Sequence, residues 1–308
     1  MQNRIVEVAT DGVHLSLFRG FLKLTKDGEE LGRVGFPDIG GLVVRGYGAS
    51  ISLNLVARLA EEKIPVILCG VDQNPASVVW PISTHHGQGH IISAQSTMSQ
   101  PKKKRLWQAL VKAKVTAQAQ ALEAEGENAA DLFEIAKRVR SGDPDNIEAQ
   151  AARRYWSRMM GSVDPDFRRD QNAGALNDWL NYGYAVLRAG AARSILVAGL
   201  HPSLSFHHES RGEALRLASD VMEPFRPWVD LTVRRLAIGG GEIAELSPEH
   251  KKKIVRVLSL DLIGPHGASP VQTCMDRLCQ SIAQIALGEG KTPELPRGLA
   301  LSTGGMAV

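Results

Sequence analysis

Cysteine is scarce in this chain of 308 residues. There are three, Cys69, Cys274 and Cys279, and no two of them form a CxxC pair. That spacing offers no disulfide framework and no thiolate metal site, and it points to a reducing, cytoplasmic setting. Long apolar runs are missing too. The longest, such as IPVILCGV, are far too short to span a bilayer, so no membrane role is expected. The start, MQNRIVEVATDG, lacks the basic-then-apolar layout of a signal peptide. Charge of one sign is in small excess, with a formal net charge of +3, so any site for a polyanion must come from local clustering. There is no internal repeat and no long low-complexity tract. What is plentiful is core material: 44% of residues are hydrophobic and 22% charged, which favours a sizeable folded core over disorder.

The first third reads as β structure. RIVEVAT, VHLSLFRG, FLKLTK and ELGRVGF are short runs separated by turn signals at Asp11-Gly12, Arg19-Gly20 and Asp27-Gly28, the pattern of an antiparallel meander. GLVVRG, then ISLNLVARLAEEK with Ser50 or Ser52 as its cap, then IPVILCG, read as a β–α–β crossover. After about residue 90 the period becomes helical in RLWQALVKAKVTAQAQALEAEG, DNIEAQAARRYWSRMMG, GALNDWLNYGYAVLRAGAARSILVAG and AELSPEHKKKIVRVLSLDLIG. The end, GEGKTPELPRGLALSTGGMAV, reads as a loosely held tail. The expected fold class is α+β: a small β-rich N-terminal domain, residues 1–88, followed by a larger all-α domain, residues 89–308, that carries the chemistry.

Two stretches hold candidate ligands. In residues 213–225, taken as one helix, Leu215, Ala218, Met222 and Phe225 form an apolar stripe, with Glu213, Arg216, Asp220 and Glu223 on the other side. The plain reading is a solvated acidic face. Against it, the helix ends MEPFRP, and His207-His208 stands just ahead in a segment too apolar for a loose loop. In DPDNIEAQAARRYW, Asp145 and Glu148 have capping-box spacing. Ala151 and Ala152, one turn on, leave room beside the Glu148 carboxylate, and Arg153 and Arg154 lie just beyond. Glu148, His208 and Glu223 together would supply two carboxylates and an imidazole, a set suited to Mg²⁺ or Mn²⁺ with positions left for water and phosphate. Zinc-protease chemistry is excluded, because HExxH starting at His208 would need a histidine where Gly212 stands. HHGQGH, with His85, His86 and His90, reads as a linking loop. Cys274 and Cys279 face different sides of a helix and read as small buried hydrophobes.

Basic residues cluster locally. PKKKR supplies Lys102, Lys103, Lys104 and Arg105 ahead of a helix bearing Trp107, Lys112 and Lys114, and HKKKIVRV, VRRLA and PDFRRD add more. Each alone reads as a solvated helix face. Several in one helical region favour contact with a phosphate backbone, without a motif for reading bases.

Taken together, RLWQALVKAKVTAQAQALE, NIEAQAARRYW, LNDWLNYGYAVLRAG and GLHPSLSFHHES, continuing to ALRLASDVMEPFRPWVD, resemble the CRISPR-associated DNA integrase and endonuclease family, the large subunit of the spacer-acquisition complex. The histidine doublet and MEPFRP look most like the branch that accompanies single-protein-effector (type II) CRISPR systems. The resemblance implies metal ligands at Glu148, His208 and Glu223, with Asp220 as a nearby second acid. It implies His208 rather than His207, since the family block ends Gly or Ser, two residues, then His. It also implies strand transfer, in which a DNA 3′-hydroxyl attacks a phosphodiester at the repeat edge, so the absence of a protein nucleophile is expected. The implied partners are double-stranded DNA, a second copy in a homodimer, and a small ferredoxin-like acquisition protein. Two departures stand out: Ser205 where the family often has Gly, and GALN at 174–177 where it has a DPxN-like stretch. A stand-alone metal-dependent nuclease acting on branched DNA, or a non-catalytic DNA-binding scaffold, are the competing expectations.

Overall fold

The computed structural model describes residues 4–70, 75–81, 87–170, 172–209, 213–239 and 245–300. His85 and His86 of the linking loop fall outside these, and His90 is exposed. The chain begins with β1 (Arg4–Val8), β2 (His14–Phe18), β3 (Phe21–Lys26), β4 (Glu29–Gly35), β5 (Ile39–Val44) and β6 (Ser50–Ile51). The meander forms over β2, β3 and β4. Its two hairpins turn at Arg19-Gly20 and Asp27-Gly28, all four residues at positive φ, as two-residue turns between twisted strands require.

β1 does not join that meander. It pairs in parallel with β5 in a second sheet, ordered β1-β5-β7-β8. The reason is burial: β5 is apolar on both faces and needs partners on both edges. The chain returns so closely that a Cβ on Gly46 would meet the Thr10 carbonyl oxygen at 2.1 Å. After β5 the expected crossover follows, through α1 (Leu53–Glu61) to β7 (Val66–Cys69), parallel to β5. Ser52 is the cap of α1, accepting from the Leu55 amide, while Ser50 belongs to β6. An antiparallel edge strand, β8 (Pro75–Val79), completes the sheet.

The rest is mostly helical: α2 (Gln88–Ser96), α3 (Gln100–Glu123), α4 (Ala130–Lys137), α5 (Ile147–Met160), α6 (Leu176–Val197), α7 (Arg216–Met222), α8 (Arg226–Gly239) and α9 (Pro248–Val255). Then come β9 (Asp261–Gly264), β10 (Gly267–Pro270), α10 (Val271–Leu287) and β11 (Gly298–Leu299). The helical period expected through residue 264 therefore stops early. SLDLIG becomes the middle strand of a small antiparallel sheet, burying Leu262 and turning back at Gly267. The tail is held as far as residue 300. Arg297 N donates to Ile263 O, and Ala300 N to Asp261 O.

Two apolar clusters result. One fills the space between α1 and the strands. The other runs through the helices and takes in Val43 of β5 and Ile67 of β7. Polar ties join strands to helices: Arg193 of α6, nearly fully buried, hydrogen-bonds Gly40 O and forks onto Asp276 of α10 at 2.6 and 2.8 Å. α3 packs against α4, α5 and α8, and α6 against α7, α8, α9 and α10. These two long helices set the frame for everything between them.

α6 approaches α8 and α9 closely at Gly183, where a Cβ would stand 2.3 Å from Val229 Cγ1 and 3.2 Å from Ile254 Cγ2. Gly183→Ala is expected to destabilise the chain by about 1–3 kcal/mol through overpacking. Adding Val229→Ala should recover part of that loss. Urea denaturation of the single and double variants checks this, and strict additivity of the two losses would show that the pair is not in contact.

Candidate functional site

The segment 213–225 is not one helix ending at MEPFRP. α7 stops at Met222, Glu223–Phe225 make a single 3₁₀ turn, and α8 starts at Arg226. Pro224 and Pro227 sit in first turns, where a missing amide costs no hydrogen bond. Nor is the acidic face solvated. Asp220 is 0% and Glu223 2% exposed. Charge at that depth has to be paired, and the two acids are paired in different ways.

Asp220 gathers the loop ahead of α7. Its Oδ2 accepts from the amides of Phe206 at 2.6 Å and His207 at 3.2 Å, and its Oδ1 from the amide of His208 at 3.3 Å. The same Oδ1 lies 2.6 Å from His208 Nδ1. An ionised carboxylate only accepts, so Nδ1 donates, and the neutral ring keeps Nε2 as its acceptor. The hydrogen bond to Asp220 raises the His208 pKa above its usual value; burial pulls the other way and is overcome. Asp220 is thus engaged with both backbone and ring. His207 stacks its ring on Trp107 of α3, centroids 4.1 Å apart and planes 1° from parallel, while Trp107 meets the His208 ring edge-on at 5.7 Å. Ser205 closes the turn by donating to His208 O at 2.5 Å.

Glu223 meets Glu148 across a lysine. Lys114 Nζ, from the middle of α3, stands 2.5 Å from Glu148 Oε1 and 2.6 Å from Glu223 Oε2. Arg226 Nη1 adds a contact at 3.3 Å to Glu223 Oε1. Burial alone would raise the Glu223 pKa, yet Arg226 and Lys114 together bring it below its ordinary value. For Lys114 the largest effect, burial, lowers the pKa, and the carboxylates of Glu223 and Glu148 more than reverse it. Glu148 reaches this point because α5 begins beside it. The capping box does not form: Asn146 is the cap residue, in the left-handed region, and Asp143 accepts from the amides of Ile147 and Glu148 at 2.9 and 3.0 Å. Asp145 instead pairs with Arg140.

Behind the carboxylates lies Asp230, on the same face of α8 as Arg226. Tyr184 donates to its Oδ1 at 2.6 Å and Tyr155 to its Oδ2 at 2.9 Å. Arg226 and Arg169 lie over the Tyr184 ring at 4.6 and 5.3 Å. Arg169 is held by Asn177, at the end of the departing stretch 174–177, and by Asn181.

The structure therefore brings Glu148 and Glu223 to one cation and sets His208 beside Asp220, within the field of the Glu223 charge. Among the described residues, no three His, Cys, Asp or Glu side chains gather closely enough to hold an ion. The donor set still fits one: two carboxylate oxygens converge on a single cationic atom, and the buried Glu223 Oε2 has no aligned hydrogen bond. Two arginines follow Glu148 on α5. Arg153 is exposed, and Arg154 pairs with Asp131 at 3.3 Å. Lys102 and Lys103 are half-buried, and Lys104 and Arg105 exposed, on the first turns of α3. Sequence reasoning counted Lys114 only among the basic residues for a phosphate backbone, and missed Arg226 and Asp230. Their signal was charge inside an apolar stripe: Lys114 follows Leu110 and Val111 at core spacing, and Glu223, Arg226 and Asp230 recur at i, i+3 and i+7.

Burial pushes the Asp230 carboxyl up from 3.8 to about 6, against the two tyrosine hydroxyls and the nearby Arg226 and Lys114 charges. Between those values the folded chain holds the proton more tightly than the unfolded chain. Stability from this group is thus present below pH 4 and lost as pH rises to 6. Asp230→Asn removes the titration, so its stability relative to wild type should rise over that window by up to about 3 kcal/mol. Thermal unfolding at pH 4 to 7 checks this; a flat difference would place the Asp230 titration outside the window.

The family described as "CRISPR associated protein Cas1" matches residues 6–252. A "CRISPR-associated endonuclease Cas1" of Neisseria meningitidis serogroup C is 34% identical over 294 residues, 94% of this chain and 95% of that protein. Among solved structures, a casposase bound to integration product superposes with a TM-score of 0.77 at 20% identity, over 94% of this chain and 92% of that one. A chain of a Cas6-RT-Cas1–Cas2 complex superposes with a TM-score of 0.73 at 17% identity, over 94% of this chain and 35% of that longer one. These two share the fold: an N-terminal β region followed by a mostly helical part. With the family match spanning most of its length and a relative of that identity covered nearly end to end, this chain belongs to the CRISPR-associated Cas1 family.

Proposed function

We propose that the chain is a divalent-metal-dependent DNA endonuclease and integrase that inserts short foreign DNA segments into a CRISPR array in the cytoplasm. The observation that carries this reading is the convergence of Glu148 and Glu223 on one buried cation, beside a histidine whose Nδ1 is committed to Asp220. Glu148, Glu223 and His208 through Nε2 would hold Mg²⁺ or Mn²⁺. When bound, the ion would polarise a phosphodiester and favour its attack by a DNA 3′-hydroxyl. The protein's own residues do the rest. Asp220 fixes the tautomer and direction of the His208 ring. Trp107, under His207 and against His208, keeps the loop on α3. Asp230 and its two tyrosines hold Arg226, and so Glu223, in register. The nucleophile belongs to the DNA, and the chain supplies orientation and charge.

Lys102, Lys103, Lys104 and Arg105 stand nine to twelve residues before Lys114 on α3, roughly 14–18 Å along its axis. That offset lets them neutralise backbone phosphates of a duplex whose reacting bond lies at the carboxylates. The type II branch is favoured by the Neisseria relative and by the His207-His208 and MEPFRP stretches. A homodimer joined through the N-terminal β region, with a small ferredoxin-like partner, is the assembly we assign, supported by the likeness to a chain of a complex containing Cas2.

Replacing His208 by alanine should reduce Mn²⁺-dependent cleavage and strand transfer by about 100-fold or more, with fold and DNA affinity retained. Asp220→Asn should cost about 10- to 100-fold through the ring it orients. A folded His207→Ala that is inactive beside an active His208→Ala would sink the assignment. Alanine at Lys102, Lys103, Lys104 and Arg105 together should flatten the plot of log affinity against log salt. An unchanged slope would return them to a solvated helix start. Light scattering should give twice the chain mass in solution, and a clean monomer at micromolar concentration counts against the assembly.

A further inference from the structure

Lys114 has only 8% of its surface exposed, midway along a helix whose neighbours Leu110, Val111 and Val115 are fully buried. An ammonium in that position is costly unless fully paired. The carboxylates of Glu148 and Glu223 supply the pairing, from two elements far apart in sequence. The same two oxygens are those assigned above to a divalent ion, and an ion on both would stand where Nζ stands. Two cations cannot share that point. The second cation differs from Lys114 in being fixed: Arg226 contacts the other oxygen of Glu223 and lies over the Tyr184 ring. Lysine carries a compact charge on a flexible four-carbon stem, which lets it withdraw as an arginine fork held over a ring cannot.

We propose that Lys114 is a built-in counter-ion: it occupies the cation position between Glu148 and Glu223 in the metal-free protein and is displaced when a divalent ion binds. The inference rests on the metal reading of the site and extends it to a residue that is not a ligand. It gives the site two electrostatic states. Without metal, Lys114 and Arg226 balance Glu148 and Glu223, and the pocket is close to neutral. With a divalent ion seated and Lys114 still nearby, the pocket is strongly positive. A phosphodiester is then drawn most strongly to protein that is ready to react, and the two acids never face each other unscreened.

The test uses Mn²⁺ alone, without DNA, on the full chain. Lys114→Met keeps the length of the stem and removes the charge. Metal-free, it should unfold at a lower temperature than wild type, because the buried Glu223 and the half-buried Glu148 lose their shared partner. Calorimetric titration should show Mn²⁺ binding about tenfold more tightly than to wild type, because no internal cation has to leave. Mn²⁺ should likewise raise its melting temperature by more than it raises that of wild type. Equal or weaker Mn²⁺ affinity in the variant overturns the proposal, since a purely structural lysine would lower stability without improving metal binding. No Mn²⁺ binding by either protein overturns the metal reading and this inference with it. If Lys114→Met does not fold without metal, recovery of its helical circular dichroism on adding Mn²⁺ supports the exchange. Failure of both Lys114→Met and Lys114→Gln to recover with Mn²⁺ overturns it.

Discussion

Burying a lysine between two glutamates is the constraint around which the helical part is organised. The Lys114 ammonium or the Glu223 carboxylate alone at that depth would be strongly destabilising, and with the half-buried Glu148 they are tolerated only in close register. Three elements must therefore meet with little freedom: the middle of α3, the first turn of α5, and the 3₁₀ turn between α7 and α8. Local devices place each one. Asp143 caps α5 so that Glu148 faces α3. Pro224 and Pro227 allow the chain to restart a helix at once, which keeps Glu223 at the joint. The Arg226, Asp230, Tyr155 and Tyr184 cluster stiffens α8 behind it.

The histidine loop is built on a second buried acid. Asp220 takes three backbone amides and a ring nitrogen, and so forms the floor of the loop. That division of labour explains why two acids three residues apart have different surroundings. Asp220 faces three amides and a ring nitrogen, and Glu223 faces Lys114 and Arg226. The adjacent histidines divide in a similar way. The stack of His207 on Trp107 anchors the loop to α3, while His208 gives its Nδ1 to Asp220 and feels the charge of Glu223.

Much of this was legible along the chain. Alternation and turn residues marked β2, β3 and β4, and the apolar runs around Ser52 marked the β5–α1–β7 crossover. Helical periodicity marked α3, α5 and α6, and the motif blocks singled out Glu148, His208 and Glu223. These features are local: they depend on the period of side chains around a strand or helix, and on turn chemistry within a few residues. The partners of those side chains were not legible. β1 left the meander because β5 needed a second buried edge. SLDLIG became a strand because Gly298 and Leu299 came back to pair with it. Asp145 yielded the cap to Asp143, and Arg154 turned to Asp131. Lys114 met Glu148 and Glu223 only when three helices had packed. Pairings between distant segments depend on which surfaces are buried against one another, and that free energy exists only once the core has closed. The identities of the acids and the histidine were written in the sequence; their burial, and the cation that joins two of them, came from packing.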